Sequence, residues 1–535
     1  GHGSLDEHLL QEVLLFLPPE CAAWVQATSR TGILARAAGC EPLWAAQAGR
    51  VFGLAGERAC QGPQGEACGG SWARAFALWH SAACEVGLRA LGEAPAPLPA
   101  QWIALWCRLQ RWLREHAPEV ARTLRSAVDP AALAQLAEHG LGDAAPGVLG
   151  LWRVVDGQDA AMEQQVADQL GMRPLSGYGE WSRGLLGGYA VYNHDVSTLL
   201  LPLRSAMRLT VFLRERLPLL EEEHPTKLAF ACSYNLSKIH FVEVRDGGVW
   251  ALRHRQRPVL ERTAPASPGV LAECARVRLR GLNARPELNG QVGILAAFDR
   301  AKARWQVQME DGSGVHLIRD ENLEPEGVER ESVPGLLRWF QEFVRRLEAG
   351  VYGTAALRPE RDSRALSARG ISLFPVAGPE LSSCVTRGVE VTASCVYMPE
   401  HRQGWAYSVA LRLVSSASER GYETCQLCFR HWTIQEDGQD ADEVRGEGVV
   451  GFFPILVDGG WILNDESDPG AQYNRPYGRI PGEFRYQSCS GRCPSMKGSF
   501  SGELTFIPGT RMHPTGPPFQ ARLESFRLCV PEYIY

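Results

Sequence analysis

Two sets of residues in this sequence have types and spacings that could do chemistry. Gly446, Gly448 and Gly451 in "RGEGVVGFFP" spell Gly-x-Gly-x-x-Gly. Such glycines cradle a pyrophosphate when a strand precedes them and a helix follows, because the free amides at the helix start then meet the phosphate. Upstream of Gly446 lies "QEDGQDADEVR", which reads as a polar, acidic loop. Downstream, Pro454 and the aromatic and β-branched residues around it begin no amphipathic helix. The segment is expected to be a loop between strands and not a dinucleotide site. A loop rich in free amides keeps one weaker option, an anion nest.

The second set is Cys425-Gln-Leu-Cys428 with Cys489-Ser-Gly-Arg-Cys493, which could offer four thiolates to zinc. A zinc knuckle needs paired cysteines on a tight turn. "TCQLCFRHWTI" alternates as a strand instead, so residues three apart point to opposite faces. No metal site is expected. The 15 cysteines are odd in number and follow no repeated framework, which argues for reduced thiols. No Gly-x-Ser-x-Gly elbow occurs; "GSFSG" at 498–502 has Phe500 at its centre. His431 reads as a strand histidine, "DGQDADE" lacks calcium-ligand spacing, and Glu221–His224 reads as surface. No catalytic residue and no cofactor is expected: the chain reads as a non-enzyme.

The elements that must position these residues come in blocks. At 535 residues, the chain suggests about three to five domains. A 45% hydrophobic and 22% charged composition is that of a globular protein. A net charge of −6, without a long basic run, gives no reason to expect nucleic acid as a partner. No run of 18 apolar residues occurs, so no membrane span is expected, and nothing near the start reads as a signal peptide.

In "LDEHLLQEVLLFL" the apolar residues Leu5, Leu9, Leu10, Val13, Leu14 and Leu17 fall at helical spacing, and Pro18 stops that helix. "EPLWAAQAGRVFG" adds another short helix. So small a helical unit buries too little surface alone and needs a partner. Gly- and Pro-rich stretches around one helix read as linkers. Trp102, Leu105, Trp106, Leu109, Trp112 and Leu113 then mark a second helical block, and "PAALAQLAEHGLG" a further helix. "GGYAVYN", "LAFACSYN" and "IHFVEVRDGGVWAL" read as half-buried strands, with Asp246-Gly247 as a hairpin turn. Short strands across 276–326 predict a small inserted β-barrel. Leu336, Leu337, Phe340, Phe343, Val344 and Leu347 predict an amphipathic helix after it, and 380–535 reads as a β-sandwich.

Three stretches carry resemblances. "LDEHLLQEVLLFLPP" with "TSR" and "EPLW" resembles an F-box, with Ser29 at the Val-Ser position and Leu43-Trp44 at the closing Leu-Trp. Asp6 stands where that pattern has Pro, and Thr28 where it has Val. "GLWRVVDGQ" with "GLLGGYAVYNHDVSTLLLPL" resembles a SUKH (Smi-one/Knr-four) α/β domain. "VTRGVEVTASCVYMPE", "QLCFRHWTI", "VRGEGVVGFFPIL" and "FRYQSC" resemble an ApaG domain, a fibronectin III-like β-sandwich in which the glycine segment is a loop. In this order the three resemble the F-box only protein 3-like family of animal and plant-type proteins.

The resemblance implies a multidomain α+β chain: an F-box at 1–55, a linker with a helix at 56–100, a SUKH-like domain at 101–350 interrupted by the barrel at 276–326, a linker at 351–379, and the ApaG-like sandwich at 380–535. It implies the substrate-recognition subunit of a Skp–cullin–F-box ubiquitin ligase, cytoplasmic or nuclear, with a Skp-type adaptor, a cullin scaffold and target proteins as partners. Leu10, Val13, Leu14, Leu17, Pro18, Leu43 and Trp44 would then face or support the adaptor. The alternative is a protein-interaction scaffold outside ubiquitin chemistry, with Gly446, Gly448 and Gly451 as a candidate small-anion loop.

Overall fold

The computed structural model describes residues 41–52, 54, 60–85, 100–128, 146–177, 179–254, 258–263, 276–299, 302, 304–310, 313–325, 335–359, 368–378, 380–436, 442–463, 479–490 and 497–535. Leu10, Val13, Leu14, Leu17, Pro18 and the "PAALAQLAEHGLG" segment lie outside these residues.

Five described helices exceed ten residues: α1 (Glu41–Phe52), α2 (Trp72–Glu85), α3 (Ala100–His116), α4 (Leu203–Arg214) and α5 (Gly335–Glu348). In α1, Leu43, Trp44, Ala48, Val51 and Phe52 recur on one face and are buried. They meet α2, where the Phe76 ring lies 5.1 Å from Trp44 and 5.6 Å from Phe52. Glu41 accepts hydrogen bonds from the Ser71 hydroxyl at 2.8 Å and from the Trp72 amide, giving α2 an acceptor where its first amides lack one. α3 buries its tryptophans against α5, with the Trp102 ring 5.7 Å from Phe340. The core is continuous from α1 into the central sheet, so the helices and that sheet share one packed interior.

That sheet has eight strands in the order Gly353–Ala356, Arg369–Ser372, Gly188–Val191, His194–Leu200, Lys227–Ser233, Ile239–Glu243, Val249–His254 and Pro258–Arg262. Within it, only the contact between Arg369–Ser372 and Gly188–Val191 is parallel. Two expectations are corrected by this sheet. The stretch 351–379 contains two of its strands, where a linker was expected. Each is four residues long, too short to show a period, and its pairing is set by the sheet edge it meets. Lys227–Ser233 is buried at all seven positions, where half-burial was expected, because a sheet inside the core covers both pleat faces. The Asp246-Gly247 turn is present, with Gly247 at φ 74° joining Ile239–Glu243 to Val249–His254.

Between the last of these strands and α5 sit five antiparallel strands, Arg276–Leu279, Val292–Asp299, Arg304–Met309, Val315–Ile318 and Leu323–Pro325. They enclose a core of their own around Val277, Leu295, Val307 and Met309. The C-terminal β-sandwich packs Leu381–Thr386, Val389–Tyr397, Trp405–Leu413 and Phe484–Ser490 against a second sheet built on Cys425–Glu436, Lys497–Pro508 and Phe519–Cys529. In Phe519–Cys529 buried and exposed residues alternate over most of the strand, the pattern of a sheet with one wet face. The chain is thus a mixed α+β, multidomain structure with helices leading and a β-sandwich at the end.

Candidate functional site

The glycine segment joins two strands that both pair with Cys425–Glu436. Asp442–Glu447 is a strand pairing with Cys425–Glu436, where a loop was expected; Gly446 stands opposite Arg430. Its outward residues Glu443, Arg445 and Glu447 make a polar ribbon, which hydropathy cannot tell from a loop. Beyond that strand the expected turn is present. Val449 and Phe452 exchange main-chain hydrogen bonds of 2.9 and 2.8 Å around Val450 (φ 49°) and Gly451 (φ 81°). That is a two-residue hairpin with both central residues left-handed. The strand Pro454–Val457 comes next, so no helix meets a phosphate here.

Each glycine has a local reason. A Cβ on Gly446 would stand 3.0 Å from the Arg430 guanidinium. Arg430 bonds the carbonyls of Glu447 and Gly448 at 3.1 and 2.7 Å. Gly448 has φ 55°, and a Cβ there would lie 2.6 Å from the Phe452 carbonyl. The Gly448 amide donates to the Cys428 carbonyl at 2.9 Å. Arg511 lies 4.2 Å over the Phe453 ring, and its amide donates to Gln426 at 2.7 Å. The amides of Gly448, Val449 and Phe452 therefore already serve the fold. Gly448→Val is expected to destabilise the protein by about 2–4 kcal/mol in denaturant unfolding, combining left-handed strain with overpacking. A loss below about 0.5 kcal/mol would refute this account of the loop.

The cysteine pairs divide. Cys425 is buried, and burial pushes its thiol up to about 12. Cys428 falls at a β-bulge between Leu427 and Phe429, and its thiol lies 3.5 Å from the Gln426 carbonyl. Cys489 is half-buried on Phe484–Ser490, and Cys493 lies outside the described residues. Among the described residues no three His, Cys, Asp or Glu converge as metal ligands. Ten described cysteines carry no disulfide, whereas the reduced-thiol expectation is corrected at Cys529, which is disulfide-bonded at the end of the last strand. His431 lies in its strand, with ring nitrogens 3.6 Å from Glu443 and from Glu503.

The seam between the sandwich and the central sheet holds groups that no sequence motif marks. Glu400 follows Val389–Tyr397, and its side chain is wholly buried. Its Oε1 accepts from the Tyr189 hydroxyl and lies 2.9 Å from His194 Nε2, while Oε2 has no hydrogen-bond partner. Lys238, also fully buried, donates to the Tyr189 hydroxyl at 3.4 Å and to the Tyr535 carbonyl. Burial works against ionised Glu400, yet Lys238, His194 and the Tyr189 hydroxyl hold its carboxyl well below the usual range. The His401 ring is 4.6 Å from that of His194; burial first, then that neighbour, lowers its pKa.

Around this network, the Ala190 amide donates to Gln487 at 3.2 Å and Tyr397 donates to Glu261 at 2.8 Å. A half-open cavity of about 60 Å³ lies nearby, lined among others by Arg346, Tyr352, Glu380, Tyr397, Trp405 and Tyr533. Arg346 is held by Glu342 at 2.8 Å and by the Tyr352 hydroxyl at 2.8 Å. At the helical end, Leu43 and Trp44 point into the chain's own core, a supporting position for whatever α1 presents outward.

Comparison with known proteins agrees with this anatomy. The family model of the ApaG domain matches residues 397–488. The chain is 27% identical over 477 residues to F-box protein SKIP16 of Arabidopsis thaliana, covering 87% of this chain and 85% of that protein. It is 35% identical over 113 residues to Protein ApaG of Bradyrhizobium sp. (strain ORS 278), covering 20% of this chain and 80% of that protein. Protein ApaG of Brucella suis biovar 1 is 40% identical over 97 residues, 17% of this chain and 62% of that protein. The ApaG model falls on the sandwich that carries the glycine hairpin, and by the Bradyrhizobium relative, 35% identical and covered to 80%, the chain belongs to the ApaG family.

Proposed function

We propose that this protein is the substrate receptor of a Skp–cullin–F-box ubiquitin ligase. The observation that carries the reading is the similarity to an F-box protein along 87% of the chain, which extends far beyond the ApaG domain. On this reading residues 1–55 form an F-box, and Leu10, Val13, Leu14, Leu17 and Pro18 dock the Skp-type adaptor. Leu43 and Trp44 brace that surface from inside. The eight-stranded unit is a SUKH-like domain, and it selects target proteins together with the barrel and the sandwich. The receptor performs no bond chemistry of its own, holds no cofactor, and works in the cytoplasm or nucleus.

The continuous core supports a rigid coupling of adaptor to target. α1 packs on α2, α3 packs on α5, and α5 bears the C-terminal residues of the sandwich, so few joints intervene. The test is co-purification. The double variant Leu14→Asp, Leu17→Asp is expected to lose the Skp-type adaptor while keeping its far-ultraviolet circular dichroism, because burying two unpaired carboxylates in an apolar interface is prohibitive. Undiminished adaptor recovery by a folded double variant would overturn the F-box reading.

A further inference from the structure

Between α1 and α2 the chain turns back in a short hairpin, "CQGPQGEAC", from Cys60 to Cys68. Pro63 sits in a turn closed by the Gly65 amide on the Gly62 carbonyl at 3.0 Å. Gln61 and Ala67 form an antiparallel bridge, and the Gly62 amide donates to the Glu66 carbonyl at 3.0 Å. The next pair in this register is Cys60 with Cys68. Directly opposite residues of an antiparallel pair share one face, with Cα atoms about 4.5–5.5 Å apart, inside the roughly 4.4–6.8 Å that a disulfide spans. Both thiols are free; Cys68 is buried and Cys60 is partly exposed. Burial, then Cys68, then Glu41 raise the Cys60 pKa.

We propose that Cys60 and Cys68 are a modification site: a dithiol that closes reversibly into a disulfide by exchange with a low-molecular-weight disulfide of the glutathione class. The Cys60 thiolate, the accessible member, attacks one sulfur of the oxidised reagent and releases one reduced thiol. The Cys68 thiolate then attacks the Cys60 sulfur of that mixed disulfide and releases the second. Two protein thiols are oxidised, one reagent disulfide is reduced to two thiols, and the two protein protons leave with them. Because the Cys60 thiol is raised, closure is slow at neutral pH and accelerates as pH rises, since the thiolate is the nucleophile.

The closed form acts on the joint between α1 and α2. The Trp79 indole of α2 donates to the Gln61 carbonyl at 2.8 Å, so the hairpin is already seated on that helix. A Cβ on Gly62 would meet Leu78 at 2.9 Å, which shows how closely it sits. A covalent bond across its base is expected to hold the hairpin on that helix.

The test uses the full chain, equilibrated in glutathione buffers of increasing oxidised fraction, quenched by acid and alkylation, and mapped by mass spectrometry without reduction. The expected product is a peptide crosslinked between Cys60 and Cys68 that disappears on adding reduced glutathione. With it come slower hydrogen exchange in α2 and closure that speeds up with pH. A Cys84→Ser control is expected to leave the crosslink unchanged, and Cys68→Ser to stop at the Cys60–glutathione mixed disulfide. If the wild-type chain also stops at the mixed disulfide, or both cysteines remain alkylated in fully oxidised buffer, the proposal is overturned.

Discussion

Replacing Glu400 by Ala is expected to lower stability by about 3–5 kcal/mol, because it strands Lys238 in the buried seam without its compensating charge. It also removes the acceptor used by the Tyr189 hydroxyl and His194. Since these contacts join the central sheet to the sandwich, the loss is expected to split denaturant unfolding into two transitions. Glu400→Gln keeps an acceptor of the same shape and is expected to lose less, with the difference reporting the charge.

The pH dependence of the seam has a definite sign. Glu400 has a folded pKa below its ordinary value of 4.5, so its contribution is complete above about pH 4.5 and is lost as pH falls toward about 2. His240 acts on the same side. Burial first, then Lys238, push it down to about 3, so the unfolded chain takes up that proton first, and stability falls from about pH 6.5 downward. In Glu400→Ala the drop between about pH 4.5 and 2 is expected to flatten. A variant that unfolds with the parent's midpoint and acid profile would remove Glu400 from the account of the seam.

The second large effect is expected at Trp339. This residue of α5 is fully buried, with the rings of Phe230, Phe340, His240 and Tyr535 at 5.7, 5.3, 5.5 and 4.7 Å. Its indole N–H donates to the Ile534 carbonyl at 3.1 Å, and its own carbonyl accepts from the Tyr535 hydroxyl at 3.1 Å. Trp339→Ala is expected to cost about 3–5 kcal/mol through the cavity it leaves. It is also expected to make residues 530–535 cleavable by carboxypeptidase. Trp339→Phe keeps most of the packing and loses one hydrogen bond, at about 1 kcal/mol. Equal protease resistance in the parent and Trp339→Ala would show that the final residues are held by something else.

The amphipathic elements were legible in the residues. The α3 tryptophans, the α5 stripe and the alternation in Phe519–Cys529 each repeat at the period of the element they form, and a repeat needs only local reading. The hairpin at Asp246-Gly247 was legible for the same reason. The rejection of a dinucleotide site also came from local chemistry, since Pro454 and its neighbours start no helix.

Tertiary structure decided the rest. Asp442–Glu447 became a strand through its partner Cys425–Glu436, and Arg369–Ser372 through the edge it meets. Neither pairing leaves a mark in the short segment itself. Glu400, His194, Lys238 and Tyr189 come from positions up to 211 residues apart, with no spacing to connect them. The sequence alone determined the most strongly periodic helices and strands, because periodicity and turn chemistry act over a few residues. Which charges are buried together was settled only when the sandwich closed on the central sheet and took water away from them.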